Sequence, residues 1–193
     1  CYDGHSHHSI LDLPRISEHS IVVDSISKRY SMCGARIGAI ISKNKRVIDA
    51  ALRMGQARLC APYLGQVAAE AATRSTPRSY FEDVKNEYIA RRNFTVESLN
   101  QMEGVVCPMP HGAFYCIAKL PVDNAERFSQ WLLEEYNFER STVMLAPAQG
   151  FYHDPINSPQ NQVRIAYVLN LDDLKVAMST LEHALRVYPG RTL

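Results

Sequence analysis

Two short apolar runs near the start of the chain, Ile21-Val22-Val23 and Ile37 to Ile41 around Gly38 and Ala39, are rich in branched residues and free of charge. Both predict buried strands. The pattern then changes period. Val47, Ile48, Ala51, Leu52 and Met54 recur at helical spacing, which predicts a helix over 43–58, weakened near its end by Gly55 and broken before Pro62. A second helix is predicted from Tyr63 to Arg74. A third, long and amphipathic, runs from Pro77 to about Met102, with Lys85, Arg91 and Arg92 on its solvated side. Ser75-Thr76-Pro77 between them reads as a domain hinge. Beyond it the chain alternates. A strand over Val105–Cys107, a proline-rich turn, a strand over Ala113–Ala118 and a helix from Ala125 to Tyr136 are predicted in turn. That helix is capped by Asp123 or Asn124, with Phe128, Trp131, Leu132 and Leu133 inward. A short strand over Val143–Ala146, an exposed loop, a strand over Val163–Leu169 and a helix from Asp172 to Tyr188 complete the order.

The polar residues between the first two strands carry the candidate chemistry. Asp24, Ser25, Ser27, Lys28, Arg29, Gly34 and Arg36 lie on one short connection. The lip of a sheet beyond a strand's carboxyl end is where α/β sheets bind ligands. A lysine held in a dry site is a nucleophile that forms Schiff bases. Ser25, Ser27 and Arg36 suit a phosphate, through hydroxyl donors and a planar guanidinium fork. The alternative is that Lys28 is a solvated surface lysine. A second outlier is Arg164, alone inside the apolar strand Val163–Leu169. A buried arginine requires an acid or an anion, so either an internal salt bridge or a carboxylate ligand answers it.

The pattern Ser-x-Ser-Lys-x5-Gly-x-Arg-x-Gly, made by Ser25, Ser27, Lys28, Gly34, Arg36 and Gly38, resembles the cofactor-lysine motif of class I/II aminotransferases. These are fold-type I enzymes that use pyridoxal 5'-phosphate. The resemblance continues in order to the last helix. It implies that Lys28 joins the cofactor as a Schiff base and that Ser25 and Arg36, with Ser27 less directly, bind its phosphate. It implies that Arg164, after the Pro-Ala-Gln-Gly-Phe loop at 147–151, binds a substrate α-carboxylate. By that resemblance Phe114 would approach the substrate, though the residues alone read it as an ordinary core aromatic, and Gln56, Ala61 and Pro62 would lie at a homodimer interface, where the residues alone read a plain helix-breaking loop.

The implied fold is α/β: the C-terminal portion of the large cofactor-binding domain over 1–75, mainly a parallel sheet edge with helices, and a small α+β domain over 76–193. The chain opens at Cys1, two dozen residues before the lysine motif. The expectation is therefore a C-terminal part of an aminotransferase of aspartate or aromatic type. The acid that pairs with the pyridinium nitrogen would precede it, and the piece would lack turnover alone. Two other readings stand beside this one: a non-catalytic interaction module that dimerises or complements another chain, and a related pyridoxal-phosphate lyase or decarboxylase.

Composition narrows these readings little. The 193 residues are 46% hydrophobic and 21% charged, with a formal net charge of +1. That is ordinary for a globular protein and argues against nucleic acid as a partner. No apolar run suits a membrane span, and the opening CYDGHSHHS is too polar for a signal peptide. Five cysteines without a Cys-x-x-Cys pair read as free, mostly buried thiols in the cytoplasm. His5, His7 and His8 read as a surface loop rather than a zinc site. The expected partners are an amino acid, a 2-oxo acid and a second copy of the chain.

Overall fold

The order of elements follows the hydrophobic pattern, except that the strand expected over Val105–Cys107 is reduced to a single bridge between Val106 and Lys119. The computed structural model describes residues 1–193. Strand β1 (Ile21–Ser25) pairs with β2 (Gly38–Ser42), and between them lies a one-turn helix, α1 (Ile26–Arg29). Helices α2 (Lys45–Arg58), α3 (Tyr63–Ser75) and α4 (Arg78–Gln101) follow. Then come β3 (Tyr115–Lys119), α5 (Ala125–Glu134), β4 (Ala146–Pro147), β5 (Gln162–Ala166) and α6 (Leu171–Val187). Caps fix the helix starts. Asn44 accepts the N–H groups of Arg46 and Val47, Asn124 those of Glu126 and Arg127, and Asn170 that of Asp173. No helix is long and apolar enough to cross a membrane.

The chain divides into two compact units. The first is Ser6–Phe81; the second is Glu82–Leu193 together with Cys1–His5. The division falls inside α4, six residues past the expected hinge. Phe81 stays with the first unit, its ring 5.8 Å edge-on from that of Tyr30.

In the first unit, β1 and β2 are antiparallel, with Ile21 opposite Ser42 and Ser25 opposite Gly38. The expected parallel sheet edge is not there. The chain turns straight back after α1, and parallel pairing needs a longer crossover. Nor are the strands buried: Val23 is 77% exposed, Ile21 and Ile40 about half. Between Ser6 and Phe81 no apolar side chain is fully buried, though several, Val22, Ile37 and Val47 among them, are partly covered. Leu52, Met54, Leu59 and Leu64 of α2, α3 and their connection are likewise exposed. Helix α2 runs through Gly55 to end at Arg58, as expected.

The second unit holds the hydrophobic core. Its three-stranded sheet has the order β3-β5-β4, antiparallel throughout, with α4, α5 and α6 supplying the buried helical residues. Phe128 and Leu132 of α5, Leu99 of α4, Val163 and Tyr167, and Leu181 of α6 are fully enclosed. Leu133, expected inward, is 55% exposed. On α4 the buried residues are Arg92, Thr95, Val96 and Leu99, a helical stripe that includes an arginine.

Arg92 is thus not on the solvated side. It is 3% exposed and pairs with Asp3, Nη1 to Oδ2 at 2.6 Å and Nη2 to Oδ1 at 3.1 Å. It also donates to the Pro110 carbonyl and lies 4.8 Å over the Tyr2 ring. This pairing, with the Tyr2 N–H donated to His111 O, ties the first residues of the chain to the second unit. The Arg92 guanidinium holds the Asp3 carboxyl below its ordinary range, and His111 adds to this. A depressed carboxyl contributes stability above its unfolded pKa, near 4, and that contribution is lost as pH falls through the folded value. Asp3→Asn is therefore expected to lower the melting temperature at pH 7 and to flatten its fall below about pH 4. Melting curves between pH 7 and pH 2 check this; a wild-type and a variant profile of the same shape would refute it.

All five cysteines are free, as expected, but only Cys107 and Cys116 are buried; Cys1, Cys33 and Cys60 are exposed. His5 lies beside His111 of the second unit, the rings tilted and their centroids 4.2 Å apart, whereas His7 and His8 belong to the first.

Candidate functional site

Two groups of residues carry chemistry, one in each unit. In the first, β1 ends at Ser25, whose extended backbone makes it the N-cap of α1. Its hydroxyl accepts the Ser27 N–H at 3.1 Å and lies 2.9 Å from the Ser27 hydroxyl. Two hydroxyls are thereby set side by side at a strand end. Lys28 follows in the last turn of α1 and is exposed. So the dry surroundings expected for this amine are not supplied by the first unit itself.

Arg29 is turned back. Its Nη2 donates to both Asp24 oxygens, at 2.8 and 3.1 Å. The Asp24 carboxyl sits below its ordinary range, held first by the Ser25 N–H and then by Arg29. This ion pair had no part in the sequence reading, although an acid five residues before a base across a predicted turn was its signal. It removes one cation from the loop's ligand-binding inventory and braces the strand end.

The return limb passes through a 3-10 turn, Cys33–Ala35, and reaches Arg36 in the left-handed region, at φ 55° and ψ 41°. The Arg36 guanidinium donates to Cys33 O at 3.1 Å. Helix α3 buttresses the turn at Gly65, where a Cβ would come within 2.6 Å of Ala35 O. A side chain there would push the helix off the loop. Gly38 plays the same part between strands, since a Cβ would meet Asp24 O at 2.8 Å. An open groove of about 340 Å³ lies between this hairpin and α3, with Ser25, Gly38 and Ala39 on one wall and Glu70 and Arg74 on the other. Ser25 borders it; Lys28 and Arg36 do not.

Ser25, Ser27, Lys28 and Arg36 thus share one connection, running from Ser25 to Ile37 between β1 and β2. Paired hydroxyls and a guanidinium suit the oxygens of a phosphate, and a primary amine suits an aldehyde carbon. The donor set fits pyridoxal 5'-phosphate.

In the second unit, Arg164 lies on the central strand β5, opposite Ile117 of β3 and Ala146 of β4. No carboxylate pairs with it among the chain's ion pairs, so the internal salt bridge is not what answers its charge. Its guanidinium carbon lies over two aromatic rings instead, 4.4 Å from the Phe151 centroid and 5.4 Å from that of Tyr115. Both rings escaped the sequence reading. Phe151 stood in the loop beside the arginine strand, and Tyr115 in the strand that pairs with it. Phe114, half-buried, packs against the core, with its ring 6.3 Å from Tyr88 and 5.6 Å from Tyr115.

Over residues 2–181 the sequence matches the family of class I and II aminotransferases. It is 31% identical over 189 residues to an aspartate aminotransferase of Geobacillus stearothermophilus, covering 93% of this chain and 45% of that one. It is 29% identical over 177 residues to an aspartate aminotransferase of Pyrococcus horikoshii, covering 87% and 41%. Among solved structures, an aromatic aminotransferase from Pyrococcus horikoshii superposes with a TM-score of 0.79 at 27% identity, over 96% of this chain and 48% of that one. The aspartate aminotransferase of Rhizobium meliloti gives 0.78 at 26%, over 95% and 46%. The chain spans under half the length of these relatives.

Proposed function

This chain belongs to the class I and II aminotransferases, and we propose that it carries the cofactor lysine and the substrate arginine of an enzyme that moves an amino group between an amino acid and a 2-oxo acid. The observation that carries the reading is the single loop holding Ser25, Ser27, Lys28 and Arg36. Ser25, Ser27 and Arg36 would hold the phosphate of pyridoxal 5'-phosphate, and Lys28 Nζ its aldehyde carbon. When bound, the cofactor supplies an electron sink for charge developing at the substrate's Cα. With the cofactor bound, Lys28 Nζ would be placed to move the proton at the substrate's Cα. Arg164 orients the substrate by a bidentate grip on its α-carboxylate. Aspartate and aromatic amino acids are the substrates named for the relatives, and we assign this chain to the same class. The expected setting is a homodimer in the cytoplasm.

A second reading is favoured by one observation: no apolar side chain of Ser6–Phe81 is fully buried. On this reading the first unit is completed by further polypeptide, and the chain by itself binds without turning over. One experiment separates the two. The chain is incubated with pyridoxal 5'-phosphate, reduced with borohydride and mapped by mass spectrometry, beside an assay of amino transfer to 2-oxoglutarate. A pyridoxyl group on Lys28, absent from Lys28→Ala, is expected without turnover. No label on Lys28, or equal labelling of other lysines, would overturn the cofactor assignment.

A further inference from the structure

Arg164 poses a question that its assigned role does not answer: what aims it. A free arginine side chain has considerable rotamer freedom, and a grip on a planar carboxylate requires one orientation. In most strands a neighbouring acid would fix it, but an acid would occupy the donors that a ligand needs. Here no acid pairs with Arg164. Aromatic faces engage the flat side of a guanidinium and leave its N–H edge unused.

The placement of the two rings is built into the backbone. Tyr115 is in register with Ala166 on β3, two residues from the Ile117 that faces Arg164, and so is its diagonal neighbour across the ladder. Phe151 comes from the 3-10 turn Gln149–Phe151, whose own N–H donates to Ala148 O at 3.0 Å. That turn is pinned to β5 two residues before the arginine. Ala148 N–H donates to Gln162 O at 2.9 Å, and the Tyr152 hydroxyl donates to the Gln162 side chain. Phe151 is 57% exposed and lies outside the core cluster. Its ring adds little to the core; its evident contact is with Arg164.

We propose that Phe151, with Tyr115 beside it, is a positioning residue that holds the Arg164 guanidinium by its face and so presents its edge to the substrate carboxylate. The inference rests on the reading of Arg164 as a carboxylate ligand, and the test separates the two. The ¹⁵N-labelled chain is titrated with 3-phenylpropionate, a carboxylate without an amine, while the side-chain Nε–Hε resonance of Arg164 is followed. Arg164→Lys identifies that resonance by removing it. In the wild type the resonance is expected to be ring-shifted and sharp before ligand is added. Phe151→Leu is expected to return it to the position of exposed arginines and to weaken probe binding about fivefold, the range of an exposed cation–π contact. Phe151→Tyr is expected to restore both. The melting temperature is expected to stay within a degree or two in each, because the ring is exposed.

An unshifted Arg164 resonance in the wild type, or Phe151→Leu matching the wild type in both shift and affinity, overturns the positioning role. Binding left unchanged by the neutral variant Arg164→Gln overturns the carboxylate reading instead. In that case the resonance still reports whether the rings hold the side chain.

Discussion

Phe128→Ala is expected to cost the second unit about 3–5 kcal/mol, the loss typical of emptying a large aromatic site in a core. Phe128 is fully enclosed on α5. Its ring meets Tyr188 edge-on at 4.9 Å and stacks with Trp131 at 6.1 Å. Removing it leaves a cavity walled by rigid rings from α5 and the end of α6, which cannot close over it without leaving their rotamers. A fall of roughly 10–20 °C in the unfolding midpoint corresponds to that loss in a unit of this size. The measurement is simple because the chain has one tryptophan. Trp131 lies beside Phe128, Tyr136 and Tyr188, so its fluorescence reports on the second unit. Leu133→Ala, five residues along on the exposed face, is the control and is expected to shift the midpoint little. Equal effects from the two substitutions would mean that α5 is not packed as described.

The second large effect concerns hydrogen exchange. Opening the first unit exposes less apolar surface than opening the second, because between Ser6 and Phe81 the fully buried residues are Ser17, Ser20 and Gly65, and apolar side chains such as Val22, Ile37 and Val47 are only partly covered. The free energy of its local opening is therefore the smaller of the two. The second unit, by contrast, opens only against burial of its core. Amides of α2 and α3 in the dilute chain are expected to exchange at least on the order of a hundredfold faster than those of β5 and α6. Mass-resolved exchange over seconds to hours reads this directly. Protection of α2 and α3 equal to that of α6 would show that something other than apolar burial holds the first unit together.

The periodic pattern revealed the elements well but not their surroundings. Helices α2, α3, α5 and α6 fell within a few residues of their expected bounds because apolar periodicity, caps such as Asn124 and breakers such as Pro62 are local signals. Ile21–Val23 and Ile37–Ile41 were legible as strands for the same reason. Their burial was not, since a branched run describes a surface suited to being covered and says nothing about whether a cover is present. Their antiparallel sense depended on the turn at Ile26–Ile37, which a buried-strand reading overlooks. Arg92 was misplaced because its partner, Asp3, lies 89 residues away. No window along α4 contains that carboxylate, although the spacing of 92, 95, 96 and 99 would have put Arg92 on the inner face. At Arg164 the oddity was visible and its aromatic neighbours were not: an arginine in an apolar strand signals an anion or an acid, and that signal says nothing of the rings over its guanidinium.

The left-handed backbone at Arg36 has a bearing on any attempt to engineer this protein. Swapping such positions to glycine is a standard route to sturdier variants, because a side chain in that conformation costs roughly 1–2 kcal/mol. Applied here, the recipe would ease the main chain and erase the loop's guanidinium in one step. An algorithm that scores thermal robustness alone would favour the swap, and the gain in its own metric would conceal the damage.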